Sequence, residues 1–139
     1  MGTTIRPELS DRNPYWLPKH RYYELKHFCL QYPLWKRACV KIIGSTKSLS
    51  IVENIPTSNL PGDPTGAMAT LIGYYNEKIK MVENAAKESD IYLHDYILKA
   101  VTEDLSYTYL KTKLEMPCGR DMYYDRYRKF FWLLSAKRG

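Results

Sequence analysis

The sequence predicts an all-α chain, a small helical bundle whose last two helices form a helix-turn-helix. Three observations predict it. Apolar residues recur at steps of three and four through most of the chain, which is the spacing of one helix face. The segments that break this rhythm carry proline, glycine or capping residues rather than a strand-like alternation. The last stretch, residues 105–138, reads as a short helix, a break at Glu115-Met116-Pro117-Cys118-Gly119, and a longer helix dense in arginine and aromatic residues.

A length of 139 residues fits one compact domain, or a small domain carrying an arm. The 45% hydrophobic content is enough to build a core and too much for a disordered chain. Tyrosine is over-used, at 13 residues, and its apolar ring with a polar tip suits half-buried faces and polar interfaces. A net charge of +6 and a pI near 9.2 favour an acidic partner such as nucleic acid. Cys29, Cys39 and Cys118 are odd in number and unrelated in spacing, so no disulfide framework is expected. No apolar run reaches the length of a membrane span, and no signal-peptide pattern opens the chain. Gly2 is not followed by Ser or Thr at position 6, where Arg6 stands, so no acylation is expected. A cytoplasmic, reduced protein without a membrane partner is the expectation.

Residues 1–13 are polar and aperiodic and are expected to form a flexible arm. Residues 14–43 are expected to form a helical hairpin. Asn13 to Pro18 packs Trp16 onto the body, and Tyr22, Leu25, Phe28 and Cys29 mark the buried face of a first helix. Pro33 closes it and opens a second, in which Leu34, Ala38 and Lys41 or Ile42 share a face, with Trp35 and Cys39 beside it. Residues 44–66, rich in Ser, Thr, Gly and Pro, are expected to be a loop or linker.

Residues 67–139 are expected to complete the bundle. Asp63 and Pro64 announce a helix whose stripe is Met68, Leu71, Ile72, Tyr75, Ile79, Val82 and Ala86. That stripe is either core or the face of a homodimer. Glu88-Ser89-Asp90 offers an N-cap for a helix over residues 91–102, buried through Leu93, Ile97, Ala100 and Val101 and apolar almost all round. Thr102-Glu103-Asp104 carries residue types that favour a further helix start.

In the final unit Tyr107, Leu110 and Leu114 form one face of the first helix, and Met116 plugs the angle between the helices. Pro117 ends that helix, and Asp121 falls in the first turn of the next, opposite the positive helix end. Tyr123, Tyr127, Phe130 and Leu134 make a core stripe. From residue 119 onward Arg120, Arg126, Arg128, Lys129, Lys137 and Arg138 outweigh Asp121 and Asp125 by +4, most of the chain's excess charge. A helix of this kind can enter the major groove, with early residues at base edges and flanking cations on phosphates. The contact face is expected to be Arg120, Asp121, Tyr124 and Arg128, Arg120 matching the two acceptors of guanine. Arg126, Lys129, Lys111 and Lys113 are expected at phosphates.

Leu110, Leu114 and Met116 before the break, with Tyr123-Tyr124, Arg126, Arg128-Lys129, Phe130 and Leu134 after it, carry a resemblance. The segment resembles the C-terminal helix-turn-helix of phage and prophage late-operon transcription regulators of the RinA and ArpU type, itself similar to region 4 of sigma factors. It covers the last quarter of the chain, with Lys111 where a small residue is common and Glu115 where glycine is common. The resemblance implies sequence-specific binding of double-stranded DNA, regulation of phage or mobile-element transcription, and RNA polymerase as a further partner.

Other chemistry finds little footing. His20, His27, Cys29 and Cys39 match no metal-finger spacing, and His94 stands alone. Gly62-Asp63-Pro64-Thr65-Gly66 lacks the Lys-Ser/Thr of a phosphate loop. No nucleophile–base constellation is placed by a motif, so no enzyme activity, metal or cofactor is expected. Two other readings stay open. One is a small helical adaptor or inhibitor that binds a protein, such as a polymerase, through its Tyr/Arg-rich surface. The other is a structural protein of a virion.

Overall fold

The computed structural model describes the backbone of residues 13–53 and 64–139, and side chains within residues 13–44 and 66–139. The expected arm lies outside these residues except for Asn13, as do Asp63 and the part of the expected linker at 54–63. Among the described residues the chain is all-helical: α1 Lys19–Leu30, α2 Tyr32–Glu53, α3 Pro64–Ser89, α4 His94–Glu103, α5 Tyr107–Lys113 and α6 Arg120–Arg138. The helices divide between two compact units. One is the chain up to Tyr32 together with Met81–Gly139, and the other is Pro33–Lys80.

In the first unit α1 packs on α4 and α6, and α4 packs on α5 and α6. The α1 face is the one its spacing predicts, with Tyr22, Leu25, Phe28 and Cys29 all buried. Leu17 anchors the approach to α1, whereas Trp16 is only partly covered. The last turns of α3 add Val82, Ala85 and Ala86, α4 adds Ile97, Ala100 and Val101, and α6 adds Tyr123, Tyr127, Phe130, Phe131 and Leu134. A buried tyrosine hydroxyl offsets part of the gain from burying its ring unless it finds a partner. Tyr22 and Tyr127 solve this mutually, their hydroxyls 3.1 Å apart inside the core. Tyr123 does not, because it is fully buried and its hydroxyl meets no partner. Tyr123→Phe is therefore expected to leave stability unchanged or raise it by up to about 1 kcal/mol. Tyr127→Phe, which orphans the Tyr22 hydroxyl, should cost about 1–2 kcal/mol. Thermal melts of the two variants against wild type give the comparison, and equal losses would contradict it.

Three local expectations need correction in this unit. The fourth helix begins at His94 rather than Ile91, and Ile91 and Tyr92 are strongly exposed instead of flanking a covered helix. The reason is Asp90, whose Oδ1 accepts the amide N–H of both Tyr92 and Leu93 at 2.8 Å and so holds a turn ahead of the helix. Thr102 and Glu103 end α4 instead of opening the next helix. Asp104 adopts a left-handed φ of 57°, which aspartate tolerates better than most residues, and the Leu105 amide closes onto Ala100 O. The helix start that follows belongs to Ser106, whose Oγ accepts the Tyr109 amide at 3.1 Å.

In the second unit Trp35, Cys39 and Ile79 are buried, and the Cys39 thiol donates to Asn76 Oδ1 at 3.7 Å. The expected α2 face is rotated. Leu34 is exposed, and the larger Trp35 with Cys39 four residues on takes the covered side. The expected loop from Gly44 is helix as far as Glu53. No proline interrupts the chain between Pro33 and Pro56, and one interior glycine costs only about 1 kcal/mol, so the polar composition misleads. Residues 64–66, also assigned to the loop, open α3, with Pro64 in its first turn. Along α3 the predicted stripe is covered at Ile79, Val82 and Ala86, half-buried at Met68, Ile72 and Tyr75, and exposed at Leu71.

Candidate functional site

The segment from Ser106 to Gly139 folds as a capped short helix, a six-residue connection and a nineteen-residue helix. The α5 helix stops at Lys113, four residues before Pro117, so the proline is not what ends it. The reversal is made by Glu115, which takes a left-handed φ of 54°. Behind it Met116 is buried, and its amide reaches Leu110 O at 3.0 Å. Gly119 sits at the N-cap of α6 in extended conformation, and Asp121 falls in the first turn, as its position predicts.

Lys111 and Glu115 both serve this reversal. Lys111, expected at a phosphate, instead donates from Nζ to Met116 O at 3.1 Å and to Cys118 O at 2.9 Å. Both carbonyls belong to the connection, so the ammonium ties the last turn of α5 to the chain that leads into α6. Glu115 carries a left-handed conformation that costs a non-glycine residue about 1–3 kcal/mol. Part of that cost is regained when glycine loses more freedom on folding. Glu115→Gly is thus expected to stabilise the chain by about 1 kcal/mol, seen as a higher Tm, and a lower Tm would contradict the assignment.

The eight residues expected to touch DNA separate into distinct environments. Arg120 is exposed, but its guanidinium lies 4.8 Å from the Tyr107 ring and 5.8 Å from the Tyr124 ring. It precedes Tyr123 by three residues, which brings it to within about 60° of the core stripe rather than opposite it. The same correction applies to Tyr124, which is half-buried against Tyr107 and Tyr123 at ring distances of 6.0 and 5.1 Å. Arg126, also expected at a phosphate, is committed elsewhere. Its Nε donates to Asp90 Oδ2 at 3.0 Å and an Nη to Asp125 Oδ2 at 2.7 Å. Burial alone would push the Asp90 carboxyl up, but the Leu93 and Tyr92 amides together with Arg126 outweigh it and hold it below the usual range.

Asp121 and Lys113 are exposed, and Arg128 and Lys129 half-exposed. None of these four side chains makes a hydrogen bond or ion pair with another described residue. Farther along, Trp132 is 42% exposed and meets the Tyr15 ring edge-on at 5.7 Å. The remaining cations of α6 hold the fold together. Lys137 pairs with Glu88 at 2.7 Å, Arg138 covers the Phe28 ring at 4.5 Å, and Ser135 receives Arg21 through both Oγ and its carbonyl. The free positive charge of α6 is therefore concentrated at Arg128 and Lys129, in its middle.

Sequence reasoning missed the Asp90–Arg126 link and the edge-on Tyr15–Trp132 pair. Asp90 was recognisable as a cap, but nothing local names a partner 36 residues away. Among the described residues no group of three or more His, Cys, Asp or Glu side chains gathers as metal ligands would, and none of the helices is long and apolar enough to cross a membrane. No family model, curated protein or solved structure matches the chain.

Proposed function

We propose that the chain binds double-stranded DNA in a sequence-specific manner through α5, α6 and their connection, as a phage or mobile-element transcription regulator acting in the cytoplasm. One observation carries the reading. A helix, α4, packs on both members of a short-turn helix pair, and the second member presents Arg128 and Lys129 without internal partners. Arginine and lysine on an outward helix face are suited to phosphates, and Arg120 at the start of α6 remains within reach of a base edge. Selection of bound duplexes from a random pool tests it. An enriched motif supports a sequence reader, and recovery of an unenriched pool contradicts it.

RNA polymerase and a second copy of the chain are the further partners proposed here. The exposed part of the α3 stripe, at Leu71 with Tyr74 beside it, is the half left for a dimer, because Ile79, Val82 and Ala86 are already covered. A competing reading, a helical adaptor for a protein partner, is favoured by Ile91, Tyr92 and Met122, at 72%, 87% and 47% exposure. Its affinity would change little with salt, whereas phosphate contacts weaken steeply as salt rises.

A further inference from the structure

We propose that the outer face of α6 holds an unpaired nucleotide, its base stacked on the Trp132 indole and its flanking phosphates met by Arg128 and Lys129. This rests on the nucleic-acid reading above and names the kind of substrate it prefers, a duplex that carries a single-stranded segment.

Of the three tryptophans, Trp35 is buried and Trp16 half-buried, whereas Trp132 is 42% exposed. Its orientation is held by the Tyr15 ring at 5.7 Å and an interplanar angle of 61°. The backbone that carries Tyr15 is held in a turn, since its amide donates to Asn13 Oδ1 at 2.8 Å and the next amide, of Trp16, donates to Asn13 O at 3.0 Å. The platform is thus preorganised, which lowers the ordering cost of stacking a ligand on it.

The charges around it have a definite pattern. Arg128 and Lys129 precede Trp132 by four and three residues, the spacing at which helix side chains are neighbours, about 5–6 Å apart. They stand on either side of the line through Trp132, and neither is engaged by another described residue. The acidic residues of α6 lie earlier, at Asp121 and Asp125, and Asp125 is neutralised by Arg126 at 2.7 Å. From Arg128 to Gly139 no acidic residue occurs. An aromatic face flanked by two free cations is complementary to a nucleotide, which offers a flat base between two phosphates. An intact duplex hides its base faces, so the ligand must present an unstacked base at an overhang, a bubble or a single strand.

Fluorescence polarisation with three labelled probes tests this: a blunt duplex, the same duplex with a single-stranded overhang, and an oligothymidine. Wild type, Trp132→Ala and Trp132→Phe are compared after circular dichroism shows equal helix content. The overhang is expected to strengthen binding about tenfold over the blunt duplex, the size of one stacked base. Trp132→Ala should abolish that gain and Trp132→Phe should retain most of it. Oligothymidine should quench the tryptophan emission of wild type and leave that of Trp132→Phe unchanged. If the overhang adds nothing, or Trp132→Ala keeps the gain, the stacking proposal is overturned while duplex binding stands. If no probe binds at low salt, both readings fall together.

Discussion

Replacing Arg128 and Lys129 together by alanine is expected to weaken duplex binding by at least about tenfold and to lower the dependence of affinity on salt by about two charges. Each neutralised phosphate releases counterions, so removing a contact shows both in affinity and in the slope of its logarithm against that of salt. These two side chains are the cations of α6 that the fold leaves unengaged. Both are half-exposed and make no side-chain hydrogen bond or ion pair with another described residue, so the double variant should melt close to wild type, as surface substitutions do. The instructive control is Lys111→Ala. Lys111 was as eligible as Lys129 on charge alone, but its ammonium closes the turn between α5 and α6. Its loss should lower Tm more than it lowers the salt slope. An unchanged slope in the Arg128/Lys129 variant would remove α6 from the DNA contact.

The second large effect concerns stability. Asp90→Ala is expected to destabilise the chain by about 2–3 kcal/mol. The substitution strips the acceptor from two backbone amides, those of Tyr92 and Leu93, and leaves the Arg126 guanidinium with Asp125 alone. Asp90→Asn keeps one oxygen for the amides and should lose only about half as much. A pH dependence follows from the direction of the Asp90 shift. Its carboxyl is held below the ordinary aspartate value of about 3.9 in the folded chain, so the stabilisation is fully present above that pH. It is lost as pH falls through the lower folded value. The gap in Tm between wild type and Asp90→Asn should therefore narrow on acidification. A gap that stays constant down to strongly acidic pH would show that the charge contributes nothing.

Much of this architecture is legible in the residues because it depends on local period. The α1 face of Tyr22, Leu25, Phe28 and Cys29 and the α6 stripe of Tyr123, Tyr127, Phe130 and Leu134 are all buried as spacing predicts. Phe131 joins the stripe because a tyrosine-rich core is wider than one row of side chains, and it meets Tyr22 edge-on at 5.1 Å and Tyr127 at a tilt at 5.0 Å. Leu34 and Trp35 show the limit of the method, since adjacent apolar residues point in different directions and only tertiary packing selects between them. The extension of α2 to Glu53 shows another, because a Ser/Thr-rich composition resembles a loop while nothing in the backbone forbids a helix.

The candidate site was legible as a location and less so as a set of partners. Charge density picks out α6, but charge density does not distinguish a cation facing solvent from one held by a carboxylate or a carbonyl. Arg126, Lys111, Lys137 and Arg138 are each occupied by groups distant in sequence or folded back across a turn. Arg120 leans on two tyrosine rings for the same reason, that its position on the helix turns it toward α5. What survives on α6 is the pair at 128 and 129, and Lys113 on α5 is likewise unpaired among the described residues.

The most direct test of the account is a salt titration of the wild-type chain against a labelled duplex, read by fluorescence polarisation. Measurable binding at low salt is expected, with a linear, steep decline of log affinity with log salt and a slope of at least about two. Absence of binding at low salt, or an affinity that barely changes as salt rises, would contradict it and leave the exposed Ile91, Tyr92 and Met122 as the surface that matters.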